Sequence, residues 1–202
     1  MALSAAAAAT READLALVQR AADGDIAAQR AVFVAQRDGV HRTLFRIFGS
    51  NQEIEDLCQD AFVEIVRSLP AFRGESSLAR WCQTIATRVA YAAIARRRPP
   101  PIDLSLVEDE LPAADDVART AQIRRAGRRL YAALEHLEPK QRIAFALAVI
   151  DERSLAEVAV LTESTRVAVK TRVWRARRAL QRRAAADPVL RQYLADIQEE
   201  AP

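Results

Sequence analysis

Residues Thr165 to Arg183 read TRVAVKTRVWRARRALQRR. Val169, Val173, Ala176 and Leu180 recur at i, i+4, i+7 and i+11, one apolar stripe along a helix. Around that stripe stand Arg166, Lys170, Arg172, Arg175, Arg177, Arg178, Arg182 and Arg183, with no acidic residue among them. A helix of this kind docks one side on a small core and turns the other toward phosphates and base edges. The blander readings are a solvated basic helix and a helix lying on a membrane surface. A membrane-surface helix needs a broad face of large apolar residues, and this one offers only valines, one leucine and alanines. Trp174 falls outside the stripe, among the arginines, where it either stacks on a sugar or base edge or packs on a neighbouring helix; packing is the expectation.

The residues just upstream decide between these readings. Ser154-Leu155-Ala156-Glu157 has the spacing of a capping box, in which the serine holds an orphan backbone N–H and the glutamate reaches back. Leu155, Val158, Ala159 and Leu161 then form one face of a short helix. Thr162-Glu163-Ser164 break it, and Ser164 or Thr165 can cap the next. Short helix, tight turn and long basic helix make a helix-turn-helix, whose second helix enters the major groove.

The chain has 202 residues, 50% hydrophobic and 28% charged, enough for one large or two small domains. Its net charge is only +3, so the basic stretches are offset by acidic ones elsewhere. No apolar run approaches the roughly 18 residues of a membrane span, and the first ten residues lack the pattern of a secretory signal. No membrane insertion and a cytoplasmic location are therefore expected. Cys58 and Cys82 fit no metal or redox spacing and read as small buried hydrophobes. His41 and His136 stand alone. With five glycines and two histidines there is no phosphate-cradling loop, nucleophile–base pair or metal cluster to read, so neither catalysis nor a cofactor is expected.

From the N-terminus, an alanine-rich start (frayed, on this reading) precedes a helix from about Glu12 to Ala22. A second helix, capped by Asp25, carries Ile26, Val32 and Phe33, and a third segment runs from about Val40 to Phe48. Ser50 to Glu53 suggest another capping box. Ile54, Leu57, Cys58, Ala61, Phe62, Ile65, Val66 and Leu69 then keep a helical rhythm up to Pro70. The outward face of that helix carries Glu53, Glu55, Asp56, Gln59, Asp60 and Glu64, either a solvated face or a docking strip for a basic partner. A loop around Gly74 leads to a helix from about Ser77 to Arg97. There Leu78, Trp81, Cys82, Ile85 and Val89 face the core, and Arg80, Thr84, Thr87, Arg88 and Tyr91 lie on the opposite side. Pro99-Pro100-Pro101 ends it. The acidic stretch beyond reads as a tether leading to helices near Gln122–Leu137 and Lys140–Ile150, and Asp187-Pro188 starts a tail helix. The division is thus 1–98, a linker at 99–122, a helix-turn-helix unit at 123–186 and a tail at 187–202, an all-α chain of two small helical domains.

These segments carry a resemblance. Glu55-Asp56-Leu57-Cys58-Gln59-Asp60-Ala61-Phe62 resembles the "EDLVQEAF" helix of the bacterial extracytoplasmic-function sigma factors, and Leu69 through Trp81 resembles their "LPxFRGESSFxxW" segment. Leu137 to Arg142, Ala156 to Ala159 and Val169 to Arg178 match the family's second module in the right order. The resemblance implies a dissociable promoter-recognition subunit of bacterial core RNA polymerase. Asp56, Gln59 and Asp60 would bind the polymerase clamp coiled coil. Phe72, Arg73, Gly74, Glu75, Ser76 and Ser77 would capture a flipped base of the −10 element, with Arg80 and Arg88 on its backbone. Thr165, Arg166, Lys170, Thr171, Arg172, Trp174, Arg175, Arg177 and Arg178 would meet the −35 element of promoter DNA. An anti-sigma factor is the further partner implied. The alternatives are a helix-turn-helix regulator acting without polymerase and a sigma-like decoy.

The chain departs from the family pattern at a few positions. Arg88 and Ala92 replace a usual asparagine and aspartate, Glu163 stands where a turn glycine is common, and Val167-Ala168 replace a frequent Gly-Thr. A non-glycine residue in a left-handed turn costs on the order of 1 kcal/mol.

Overall fold

The computed structural model describes residues 2–49, 53–97 and 115–185, together with 187, 188 and 191, and these contain helices and no strand. Helix α1 (Ala2–Ala22) starts ahead of the expected Glu12, because the alanines before it are the best helix formers. The Asp25 carboxylate caps α2 (Ile26–Phe48) by accepting from the Ala28 N–H, and it also pairs with Arg20 at 2.6 Å. The sequence suggests two helices here, but α2 runs unbroken through Gly39. A side chain at that position would press on the Gln83 amide, 3.1 Å from the place a Cβ would take, so the glycine serves close packing rather than a turn. Val32 is buried beneath α2, whereas Ile26 and Phe33 are exposed.

Helix α3 (Ile54–Ser68) buries Ile54, Leu57, Ala61, Phe62 and Ile65 on one face and ends in a 3-10 turn holding Pro70. Glu53 makes no cap hydrogen bond and instead pairs with Arg97. Helix α4 (Leu78–Arg96) is capped by Ser77, whose hydroxyl accepts from the Arg80 N–H. Ser50–Gln52, residues 98–114 with the triple proline, and most of the tail helix lie outside the described residues.

Helix α5 (Asp115–Leu134) begins inside the stretch read as a tether. Helix α6 (Pro139–Phe145) has Glu138 as its cap and proline at its first position, where a missing N–H costs nothing. A single π turn, Ala146–Ile150, continues the helix read as regular to Ile150. Helices α7 (Leu155–Leu161) and α8 (Arg166–Ala184) complete the chain, with the capping box of Ser154 and Glu157 present in both directions.

One cluster of buried residues runs from Val18 through α2, α3 and α4 to Ile143, Leu147, Val158, Val169 and Val173, so it crosses from the first half of the sequence into the second. A smaller cluster joins Leu130, Leu134 and Leu137 to Phe145, Ala176 and Leu180. Polar side chains bind the two halves as well. Arg142, only 2% exposed, donates to the Ile47 carbonyl at 3.3 Å and lies over the Phe48 ring. Burial pushes its pKa down to about 10, so it remains a cation at neutral pH. Arg46 pairs with Asp151 at 3.3 Å, and Arg153 donates to the Gln83 side chain at 2.9 Å. Tyr131 lies against Gly49 and donates its hydroxyl to the Arg46 carbonyl at 3.0 Å.

Candidate nucleic-acid interface

The turn between α7 and α8 bends through Glu163 at φ +47°, the left-handed conformation that a turn glycine would adopt without strain. Ser164 shares its hydroxyl with Thr162 at 2.8 Å, leaving Thr165 as the cap of α8, where it accepts from the Ala168 N–H at 3.1 Å. Val169, Val173, Ala176, Leu180 and Ala184 are buried beneath the helix, as their spacing requires. Arg166, Val167, Lys170, Thr171, Trp174, Arg175, Arg178, Gln181 and Arg182 are exposed. The Thr171 hydroxyl donates to the Val167 carbonyl at 3.0 Å. Trp174, expected to pack on a neighbouring helix, is 56% exposed, with the Arg178 guanidinium 5.2 Å above its ring. Among the described residues no helix crosses that face of α8 to receive it, and the stacked cation covers part of the indole instead. Arg177 is half-buried. Arg172 turns away from this face into a cleft shared with Thr87, Arg88, Tyr91 and Lys140.

That cleft is where the two halves meet. The structure pairs two of the unusual positions with each other: Arg88 donates Nε to a Glu163 carboxylate oxygen at 2.9 Å, and a second bond completes a fork. The hydrogen bond to Arg88 holds the Glu163 carboxyl below its ordinary range, and the same bond raises Arg88. Thr87, expected on the open side of α4, is 3% exposed and donates to the Gln83 carbonyl. It is covered because the second half of the chain lies over this part of α4, a long-range contact that helical periodicity cannot report. Arg80 remains exposed.

Because both partners of the Arg88–Glu163 pair are more than half exposed, it contributes no more than about 1 kcal/mol. Reversing either charge alone (Arg88→Glu or Glu163→Arg) is expected to lower stability slightly and reversing both to restore it; denaturant titration of the four chains measures the coupling. Glu163→Gly is expected to be neutral within about 1 kcal/mol, since relief of the left-handed strain offsets the lost pair.

In the loop before α4, Phe72 is 8% exposed and meets Trp81 edge-to-face, ring centres 5.3 Å apart. It anchors the loop from below. Arg73, Glu75 and Ser77 are exposed, and Gly74 takes φ +69°. On α3, Asp56, Gln59 and Asp60 are exposed. Beside them lies an apolar groove of about 710 Å³ between α2 and α3, with Phe33, Phe62, Val63 and Val66 in its walls and Arg37, Glu55, Gln59 and Arg67 at its polar edge. The acidic strip was legible in the sequence. The groove was not, because Val66 follows the inward rhythm yet stays 39% exposed, and nothing local marks Phe33, 43% exposed, as its facing wall. Cys58 is half-buried in this groove and Cys82 is in the core; burial raises both thiols, Cys82 to about 12, so neither is an activated nucleophile. No helix among the described residues is long and apolar enough to cross a membrane.

Comparison with known proteins adds to this geometry. Residues 33–99 match the family model of sigma-70 region 2, and residues 127–180 match that of sigma-70 region 4. The chain is 27% identical over 179 residues to the ECF RNA polymerase sigma-E factor of Escherichia coli, covering 83% of this chain and 92% of that protein. It is likewise 27% identical over 192 residues to the RNA polymerase sigma-H factor of Pseudomonas aeruginosa, covering 91% and 98%. Among solved structures, CnrH in complex with the cytosolic domain of CnrY shares the fold, with a TM-score of 0.56, 23% identity, and coverage of 87% of this chain and 99% of that one.

Proposed function

The chain belongs to the sigma-70 family, as an RNA polymerase sigma factor of the extracytoplasmic-function type, and from that premise we propose how its surfaces divide the work of initiation. The observation that carries the division is the exposed face of α8, rich in cations, without an acid, and mounted on a capped helix-turn-helix. It reads the −35 element, with Arg166, Lys170 and Arg175 shared between phosphates and bases and the Trp174–Arg178 stack against the backbone. Arg177 and Thr165 support the same contact from its edge.

At the other end of the molecule, Asp56, Gln59 and Asp60 and the apolar groove beside them form the seat for core RNA polymerase. Buried apolar area supplies affinity there, and the acidic strip of α3 fixes orientation against a basic partner. The loop from Arg73 to Ser77 takes a base extruded from the −10 element, with Phe72 supporting the loop from within rather than touching DNA. Arg80 follows the DNA backbone. Arg88 does so once Glu163 releases it, so engaging the −10 element parts the two halves of the chain and uncovers Thr87. An anti-sigma factor that holds the halves together would oppose this. The protein works in the cytoplasm beside polymerase and performs no chemistry of its own.

The −35 assignment is tested by salt dependence. For a duplex carrying the −35 element, log affinity is expected to fall linearly with log salt, and Lys170→Ala is expected to flatten that slope by about one unit. An unchanged slope removes Lys170 from the phosphate contacts. The same titration on random duplex separates the two DNA-binding readings, because a phosphate contact weakens all sequences alike whereas a base contact weakens one.

A further inference from the structure

Helix α1 lies ahead of both matched regions, yet it reaches the −10 loop at two points. The Asp14 carboxylate accepts a hydrogen bond from the Leu78 backbone N–H at 3.1 Å, across 64 residues of sequence. Leu15 lies over Gly74, its side-chain carbons 3.0–3.1 Å from the place a Cβ would occupy. Both contacts fall on the segment 72–78.

The first four N–H groups of a helix have no partner within it. At the start of α4, Ser77 satisfies the N–H of Arg80, and Leu78 is left to a group from outside. A carboxylate suits that place twice over, as an acceptor and as a negative charge at the positive end of the helix dipole. Gly74 stands in the left-handed region at φ +69°, and Leu15 packs against it where a side chain would otherwise sit. The loop is therefore held from below by Phe72, at its crest by Leu15 and at its exit by Asp14. Arg73, Glu75 and Ser77 are left pointing outward.

We propose that Asp14 and Leu15 are positioning residues for the −10 loop: the N-terminal helix braces the loop in the shape that receives an extruded base. Extrusion gives up stacking energy that a shaped, pre-ordered pocket has to replace. A loop free to move would have to be ordered by the DNA itself, and base selectivity would fall before core binding did. This inference rests on the assignment of the −10 loop above, and the experiment separates the two.

Holoenzyme assembled from the full chain and core RNA polymerase selects single-stranded DNA from a randomised pool, and hydrogen exchange of the free chain follows the amides of residues 73–78. In Asp14→Ala, loss of one cap is expected to speed exchange at Leu78 and to lower base preference, each about fivefold, with core affinity and −35 duplex affinity unchanged. Asp14→Asn keeps an acceptor oxygen and is expected to stay near wild type in both readings. Leu15→Ala should speed exchange around Gly74 without disturbing Leu78.

Unchanged exchange in Asp14→Ala overturns the brace. Faster exchange with intact base preference overturns its role in positioning. A uniform loss that extends to core and −35 binding shows a merely structural residue. If wild-type holoenzyme itself shows no base preference, the loop assignment fails, and the proposal falls with it.

Discussion

Reversing two charges on α3 together, Asp56→Arg with Asp60→Arg, is expected to lower affinity for core RNA polymerase by about a hundredfold or more. The reasoning follows from position. Both carboxylates stand exposed beside an apolar groove whose walls include Phe33, Phe62, Val63 and Val66. Docking a partner there removes water from the rim, and a charge pair desolvated in this way costs roughly 2–5 kcal/mol when one member is truncated. Reversal adds repulsion to that loss. Both side chains project outward from α3, so the fold is expected to survive, with the helical content and denaturant midpoint of wild type. DNA binding by α8 is expected to be untouched as well. Val63→Glu, which places a charge in the groove wall, is expected to weaken the same association without altering Asp56 or Asp60. Sedimentation or fluorescence titration with purified core enzyme measures all three chains. If the double reversal binds core polymerase as wild type does, this face of α3 is not the seat.

The second large effect belongs to Gly49. Its φ of +75° ends α2 in the left-handed conformation, and its N–H bonds the Phe45 carbonyl at 2.8 Å. The Tyr131 ring lies so close that any Cβ at this position would fall on its carbons. Gly49→Ala therefore meets two penalties, left-handed strain and overpacking, on the order of 2–4 kcal/mol together. The consequence is more than local, because Tyr131 is one of the side chains that seat the second half of the chain on the first. Denaturant unfolding is expected to show the lower stability. Tyr131→Ala in the Gly49→Ala background is expected to recover part of it, although Tyr131→Ala alone loses the hydrogen bond to the Arg46 carbonyl. Strictly additive effects would mean that the methyl and the ring do not collide.

Local signals were the ones that could be read in advance. The α8 stripe, the capping box at Ser154 and Glu157, the cap at Thr165 and the left-handed turn at Glu163 each depend on a few consecutive residues, and each is in the structure. Features that depend on tertiary surroundings did not show. The boundary expected before Val40 is absent, and Gly39 there makes room for Gln83. Thr87 reads as open until the second half of the chain covers it. Trp174 reads as a packing residue until its neighbours prove to be solvent and Arg178. Phe72 reads as part of a DNA-capturing loop, and its ring is spent on Trp81. Even the departures at Arg88 and Glu163, each visible as an oddity, gave no hint that they were partners 75 residues apart.

Initiation itself is the most direct test. Purified chain added to core RNA polymerase on total genomic DNA, with transcript starts mapped by sequencing, is expected to yield discrete start sites that share two upstream elements. Those sites should vanish with Asp56→Arg and Asp60→Arg together. Transcripts indistinguishable from those of core enzyme alone would contradict the account.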